Sequence, residues 1–373
     1  MTHYKIIDLD TMGQGVAKDD GQITFIAKTL PEEIVEAKVY RSKKNIHFAH
    51  VIDIIQASPK RQDVPCPHYA QCGGCDYQHV DYPTELNFKQ QALQRHLRKF
   101  PPVDITVHAA PQRFHYRNRV QLHYQKDKQI LGLMDVNYEP FAVSQCQLMQ
   151  AQVREAVLGL YENQAWLQLV EQEPVRGHIE LYWRDDEIHI SVNRPYANGG
   201  FTQVFPHMNH YLTTWLAHLT TQYLPQDAVI YDLFGGNGNL SLPLGKQTLV
   251  VDQYGDNTPE NTETQTFVSQ NLYAKDALTR LQAAIPTHLQ QPTCLIIDPP
   301  RSGLKNLKDF VAAFQPKAVI FIACEPTSFA RDMVTCLDEY ELVQVDLFDL
   351  FPATQHYETV GVLVRKDIQV TTI

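Results

Sequence analysis

YDLFGGNGNLSLPL, Tyr231–Leu244, joins a short apolar run carrying Asp232 to a turn holding Gly235, Gly236 and Gly238. Glycines after a strand let the backbone take positive φ and approach a ligand closely. From about residue 201 onward the surroundings repeat one pattern. VIYDLF, TLVVD, CLIIDPP and AVIFIAC are short apolar runs separated by segments of helical spacing, and LVQVDLFDL and VGVLVRK close the chain. Buried strands alternating with helices indicate an α/β, doubly wound domain. On this reading the glycine-rich turn opens a helix.

The turn narrows the cofactor. A dinucleotide fingerprint wants a third glycine where Ser241 stands, and a P-loop wants Gly-Lys-Ser/Thr, which is missing. A nucleoside cofactor without a pyrophosphate remains, and S-adenosylmethionine fits; a purely structural tight turn is the plainer alternative. Asp252, ending LVVD, then stands where an acid can hold a ribose diol. In IIDPPRSGL, two prolines stiffen the turn after Asp298 and project it from the strand's C-terminal edge, or simply make a rigid loop with a solvated acid. FIACEPTSFARDM places Cys324 between a buried strand and a helix, where a helix N-terminus can lower a thiol pKa. A cysteine there is also a common small core residue, which is how Cys294 and Cys336 read. In DLFPATQHYETVGVLVRK, His356 and Glu358 precede the last strand, each a candidate base or a surface residue.

The first 60 residues read as short β-rich runs with turn signals at Asp20-Gly21 and Lys43-Lys44, as in a small OB-type barrel. Next comes CPHYAQCGGC, with Cys66, Cys72 and Cys75 in ten residues. Seven cysteines in 373 residues argue for ligands, nucleophiles or buried thiols over a disulfide framework. NFKQQALQRHLRKF has helical spacing and stops at Pro101-Pro102. VQLHYQ, ILGLMDV, HIELYWR and EIHISVNR alternate like antiparallel strands. The net charge of −10 hides a basic stretch: Phe88 to Lys128 holds nine Lys/Arg against two acids. There, Arg113, Arg117 and Arg119 interleave with Phe114, Tyr116 and Tyr124, which suits phosphate contacts and base stacking, or else a strand with one solvated basic face. No apolar run approaches membrane length, no signal-peptide layout opens the chain, and a cytoplasmic location is expected.

The four C-terminal blocks, in this order, resemble the RNA (uracil-5-)-methyltransferase family: a glycine-rich cofactor turn, DPPR-x-G, Cys-Asn-Pro and DxFPxTxHxE. The resemblance spans essentially the whole chain. It implies three domains: a TRAM-like OB barrel (1–60), an iron–sulfur segment with a central α+β domain (61–200), and a Rossmann-like S-adenosylmethionine-dependent catalytic domain (201–373). It implies that Cys324 is the nucleophile adding to C6 of uracil, Glu358 the base removing the C5 proton, and Asp298 a third catalytic residue beside uracil and methyl donor. Gln203, Phe234, Gly236, Gly238, Asn239, Asp252, Asp276 and Asp298 would bind S-adenosylmethionine. Cys66, Cys72, Cys75 and Cys146 would ligate a 4Fe-4S cluster, with a four-cysteine zinc site as the alternative. The implied substrate is RNA, 23S ribosomal RNA ahead of transfer RNA, met by a monomer with no membrane involvement. Three positions depart from the family: Gly235 replaces a cysteine, Phe205 an asparagine, and Cys324-Glu325-Pro326 puts a carboxylate beside the nucleophile.

Overall fold

The computed structural model describes residues 2–194, 203–254 and 258–367. Gly255–Asn257, shortly after Asp252, and Gly199–Thr202, just before Gln203, lie outside the described residues. Contacts divide the chain into two compact units. Unit one takes Met1–Arg95, Ala110–Asn198 and Phe351–Gln355; unit two takes His96–Ala109, Gly199–Leu350 and His356–Ile373.

Unit one opens with β1 (Thr2–Lys5), β2 (Asp8–Leu9), β3 (Gly15–Asp19), β4 (Gln22–Ile26), β5 (Ile34–Lys43) and β6 (Ile46–Gln56), in sheet order β1-β5-β6-β4-β3-β2. The long β5–β6 pair shifts register three times, and each bulge bends the ladder. Ile6, Ala17, Ile26, Val35, Ala37 and Ala49 form its core. Helix α1 (Tyr82–His96) follows and, after a turn of 3-10 helix, ends before Pro101.

The chain then makes β7 (Ile105–His108), which sequence spacing did not reveal and which belongs to unit two. The second sheet of unit one comprises β8 (Arg119–Gln125), β9 (Ile130–Met134), β10 (Pro140–Phe141), β11 (Arg176–Arg184) and β12 (Glu187–Val192), ordered β10-β9-β8-β11-β12 and antiparallel throughout. Helices α2 (Ala151–Tyr161) and α3 (Trp166–Leu169) bring Val153, Val157 and Trp166 into its core.

Unit two is built on eight strands. Helix α4 (Pro206–Tyr223) leads into β13 (Ile230–Leu233), β14 (Thr248–Asp252) and β15 (Gln265–Ser269). After α5 (Ala277–Ala284) come β16 (Cys294–Ile297), α6 (Leu307–Phe314), β17 (Ala318–Ala323), α7 (Pro326–Met333), β18 (Tyr340–Phe348) and β19 (Glu358–Arg365). The order is β15-β14-β13-β16-β17-β19-β18-β7, with β19 antiparallel to both its neighbours. Every residue of β13, β16 and β17 is buried, as in parallel strands covered on both faces. The order reverses between β13 and β16, and ligands of open α/β sheets bind beyond the strand ends at such a switch.

One expectation is corrected here. The glycine-rich turn opens no α-helix; only a short 3-10 segment, Leu242–Leu244, follows it. Pro243 cannot donate to the backbone ladder, and Gly245 at φ +59° turns the chain away.

Candidate active site

The site gathers at the edges of β13, β14, β16, β17 and β19, all in unit two. Asp232 on β13 is fully buried; Ser241 Oγ donates to its Oδ2 at 2.6 Å, and its Oδ1 has no protein partner among the described residues. Burial, with the charge of Asp252 adding to it, pushes this carboxyl up to about 7. Phe234 turns the chain at φ +63°, an uncommon conformation for a bulky side chain, and packs its ring 5.2 Å from that of Tyr273. Asp252 receives the Gly236 N–H at 2.9 Å and the Gln253 N–H at 2.6 Å, so the acid ending β14 braces the turn. Gly238 has φ +75°, and a Cβ there would lie 2.3 Å from Gln265 Nε2.

Gly235, where the resembling family carries cysteine, has its own reason. A Cβ at this position would lie 2.6 Å from Val250 Cγ1 and 2.7 Å from the Asp232 carboxyl carbon. In this chain the position is closed to a side chain by its neighbours.

Asn239 spends its amide on the scaffold, exchanging hydrogen bonds of 2.9 and 3.1 Å with Asn209 of α4. Gln203 is buried just before α4, and Phe205, also buried, occupies the position before its first turn without a side-chain cap. Asp276 stands apart from this grouping: it precedes α5, half exposed, and pairs with Arg280 at 2.6 Å.

The reacting pair is set by strand register. Ala323 of β17 faces Thr359 of β19 at the end of an antiparallel ladder; Cys324 follows β17 there, and Glu358, the first residue of β19, exerts the largest charge on its thiol. Asp298 follows β16 at the same edge, its N–H donating to Leu233 O at 3.2 Å. Glu358 is buried and its Oε2 lacks a protein partner among the described residues; burial and the charge of Asp298 raise its pKa well above the usual carboxylate range. Asp298 is raised by burial and by Asp232 and Asp252. Arg301, in the same DPPR block, draws down both Cys324 and Glu358, a role its place in the motif does not signal by spacing.

Cys324 departs from the expectation of an activated thiol. Burial first, then Glu358 and Asp298, push it up to about 12. The start of α7 offers little compensation, because Pro326 has no N–H and the Glu325 carboxylate itself receives the Thr327 N–H at 3.2 Å. Glu325 is therefore a helix cap.

In unit one, Cys66, Cys72, Cys75 and Cys146 are free thiols in one electrostatic neighbourhood. Burial raises Cys72, Cys75 and Cys146, and each of these is raised further by other cysteines of the four. Gly74 N–H donates to Cys72 Sγ at 3.3 Å, and Lys28 Nζ donates to Cys72 O at 2.7 Å. Among the described residues, no group of three or more His, Cys, Asp or Glu side chains is arranged to hold a metal ion.

The basic stretch is a further correction. Arg113 binds Glu85, Val80 O and Tyr77 O, while Arg119 is buried and lies 3.8 Å over the Tyr182 ring. These arginines are internal ties rather than a solvated face. Exposed cation–aromatic pairing occurs instead on β5 and β6: Tyr40, half exposed, stacks on His50 at 4.1 Å, and Arg41 lies 4.8 Å over Phe48.

Comparison with known proteins agrees with this geometry. Residues 263–367 match the profile described as tRNA (Uracil-5-)-methyltransferase, and residues 5–52 match the TRAM domain. The 23S rRNA (uracil(1939)-C(5))-methyltransferase RlmD of Erwinia tasmaniensis is 26% identical, over 97% of this chain and 96% of its own. Its counterpart in Klebsiella pneumoniae is 28% identical, over 96% and 94%. The solved tRNA (uracil-54, C5)-methyltransferase of Pyrococcus abyssi shares the fold, with a TM-score of 0.72 at 20% identity, over 97% of this chain and all of that one. With the TRAM and methyltransferase profiles matched in order and relatives aligned nearly end to end, the chain is similar along its length to RNA (uracil-5-)-methyltransferases.

Proposed function

We propose that this protein methylates C5 of a uridine in 23S ribosomal RNA through a covalent bond between Cys324 and C6 of the base. The observation that carries the reading is the end of the β17–β19 ladder, where the Cys324 thiol and the buried Glu358 carboxyl interact. The relatives acting on 23S RNA align over nearly the whole chain, barrel included, which favours that substrate.

The chain's groups divide the work. The turn from Phe234 to Asn239, Asp252 and Gln203 hold S-adenosylmethionine, which supplies an electrophilic methyl. Asp232 and Asp298 favour its positive charge over a neutral ligand. Cys324 Sγ, as thiolate, adds to C6; the S–C6 bond forms and the C5=C6 electron pair moves onto the ring as an enolate. C5 then takes the methyl group as the methyl–sulfonium bond breaks. Glu358 accepts the C5 proton, the C5=C6 bond re-forms, the S–C6 bond breaks, and the thiolate leaves. Exposed Tyr40 and Arg41 on β5, with Tyr40 stacked on the partly buried His50 of β6, offer RNA a stacking and cationic face.

Cys66, Cys72, Cys75 and Cys146 would hold a 4Fe-4S cluster. Four free, mutually interacting thiols with an N–H on Cys72 Sγ suit thiolate ligation of iron. The cluster would contribute to folding, since methyl transfer consumes no electrons. Iron and acid-labile sulfide in equal amounts would support this; zinc without sulfide would replace the cluster with the four-cysteine zinc site.

The deciding experiment transfers labelled methyl from S-adenosylmethionine to unmodified 23S and transfer RNA, comparing wild type with Cys324→Ala and identifying the nucleoside. Cys324-dependent 5-methyluridine in 23S RNA is the expected result. Label in transfer RNA alone would move the substrate, and 5-methylcytidine would overturn the base.

A further inference from the structure

Two loops of unit two, one following β15 and the other following β16, meet around a hollow of about 380 Å³ whose lining includes Tyr273, Lys275, Ser302 and Lys305. Hydrogen bonds within the unit fix its frame. Tyr273 Oη lies 2.9 Å from Ser302 Oγ and donates to Gly303 O at 3.1 Å, closing one loop onto the other. From α7, which begins just after Cys324, Arg331 donates to Ser302 O at 2.7 Å, and Asp332 Oδ2 receives the Leu304 N–H at 2.7 Å. Gly303 stands at φ +70°, where a Cβ would lie 2.2 Å from that same Asp332 oxygen, so only glycine lets the loop take this path.

The charges inside this frame do not balance. Arg331 spends its guanidinium on Asp332, at 2.7 Å. Lys275 and Lys305 are exposed, and among the described residues neither enters an ion pair. No Asp or Glu among the described residues lines the hollow, and Asp276, beside Lys275, is turned to Arg280. In a chain of net charge −10, two lysines from separate loops share one concave surface without an acid. A cleft lined by one sign of charge concentrates ligands of the other sign.

We propose that this hollow is a phosphate subsite for the RNA strand carrying the target uridine, with Lys275 and Lys305 holding a backbone phosphate. The charge selects RNA over the cofactor: S-adenosylmethionine has no phosphate, and its net positive charge is repelled by two unpaired lysines. The second loop runs directly on from Asp298 and Arg301, so RNA anchored there is anchored on the loop that serves the reaction. Lysine meets phosphate as a point charge and reads no base. The subsite therefore supplies affinity and register, and leaves the choice of base to the catalytic pocket. The inference rests on the proposed RNA substrate.

The test uses full-length wild type, Lys275→Ala, Lys305→Ala, both alanines together, and a variant with both lysines changed to arginine. Binding of unmodified 23S RNA fragments and transfer RNA is followed by fluorescence anisotropy from about 50 to 200 mM salt. Calorimetry reports S-adenosylmethionine affinity, and melting curves report folding. Each single alanine should flatten the slope of log affinity against log salt by about 0.7–0.9, and the pair by about twice that. At about 0.1 M salt, a slope change of that size corresponds to roughly fivefold to eightfold weaker RNA binding per lysine. The arginine variant should keep the wild-type slope. Cofactor affinity and melting should stay as in wild type in every variant, since the lysines are exposed. An unchanged slope in the double alanine variant, with steep salt dependence in wild type, overturns the subsite and leaves the RNA substrate standing. Weakened S-adenosylmethionine binding with an unchanged RNA slope also overturns it, and makes the hollow part of the cofactor site. Wild type that binds neither RNA overturns the substrate reading underneath.

Discussion

Cys324 is a thiol held largely protonated by its own site. Burial, Glu358 and Asp298 act in one direction, and Arg301 opposes them. With the thiol pushed up to about 12, alkylation of Cys324 by iodoacetamide should rise roughly tenfold per pH unit from pH 8 to 10, as only the thiolate reacts. The rate is read as the difference between wild type and Cys324→Ala; a plateau below pH 9 would contradict the assignment. Glu358→Gln removes the larger of the two acidic influences on the thiol and should speed alkylation at pH 8. Asp232 gives a second reading of the same electrostatics. Its carboxyl titrates near 7 folded against an ordinary value of 3.8. Between those values the folded state holds the extra proton, so stability from this group falls as pH rises through the window. The shift is worth at most about 4 kcal/mol. Asp232→Asn should narrow the difference in melting temperature between pH 5 and pH 8 and weaken S-adenosylmethionine binding by calorimetry. An unchanged pH difference would sink the assignment.

At the scale of elements, α7 shows why Cys-Glu-Pro is compatible with the fold. The Glu325 side chain caps the helix that follows the nucleophile. Glu325→Asn should keep stability, because asparagine caps as well, while Glu325→Ala should cost about 1 kcal/mol in chemical denaturation. Equal stabilities for Asn and Ala would show that the cap contributes nothing. The β5–β6 pair carries the complementary prediction. Tyr40→Ala removes the exposed ring stacked on His50 and should weaken RNA binding by about 1–3 kcal/mol. Affinity for S-adenosylmethionine should stay as in wild type; loss of both would point to misfolding instead.

For the whole molecule, a net charge of −10 is compatible with the proposed RNA substrate because recognition needs only a local basic surface. RNA affinity should therefore fall linearly on a log–log plot against salt, a consequence of counterion release. A flat plot would exclude phosphate contacts as the source of binding. What the sequence determined by itself was the material arranged by short-range rules: buried strands after residue 201, the glycine-rich turn, acids ending strands, and a β-rich N-terminus. Local periodicity and turn chemistry suffice for these. It could not show that Arg113 and Arg119 turn inward, since an arginine on a strand reads alike whether it meets solvent or a buried Glu85. It could not show β7, four residues long, whose place depends on pairing with β18 far along the chain. Nor could spacing show that the Cys324 thiol and the Glu358 carboxyl interact, or that the Ala353 N–H meets Glu85. Register and long-range hydrogen bonds belong to the folded chain. They arise when strands distant in sequence meet, and no local pattern encodes which residue will then stand opposite which.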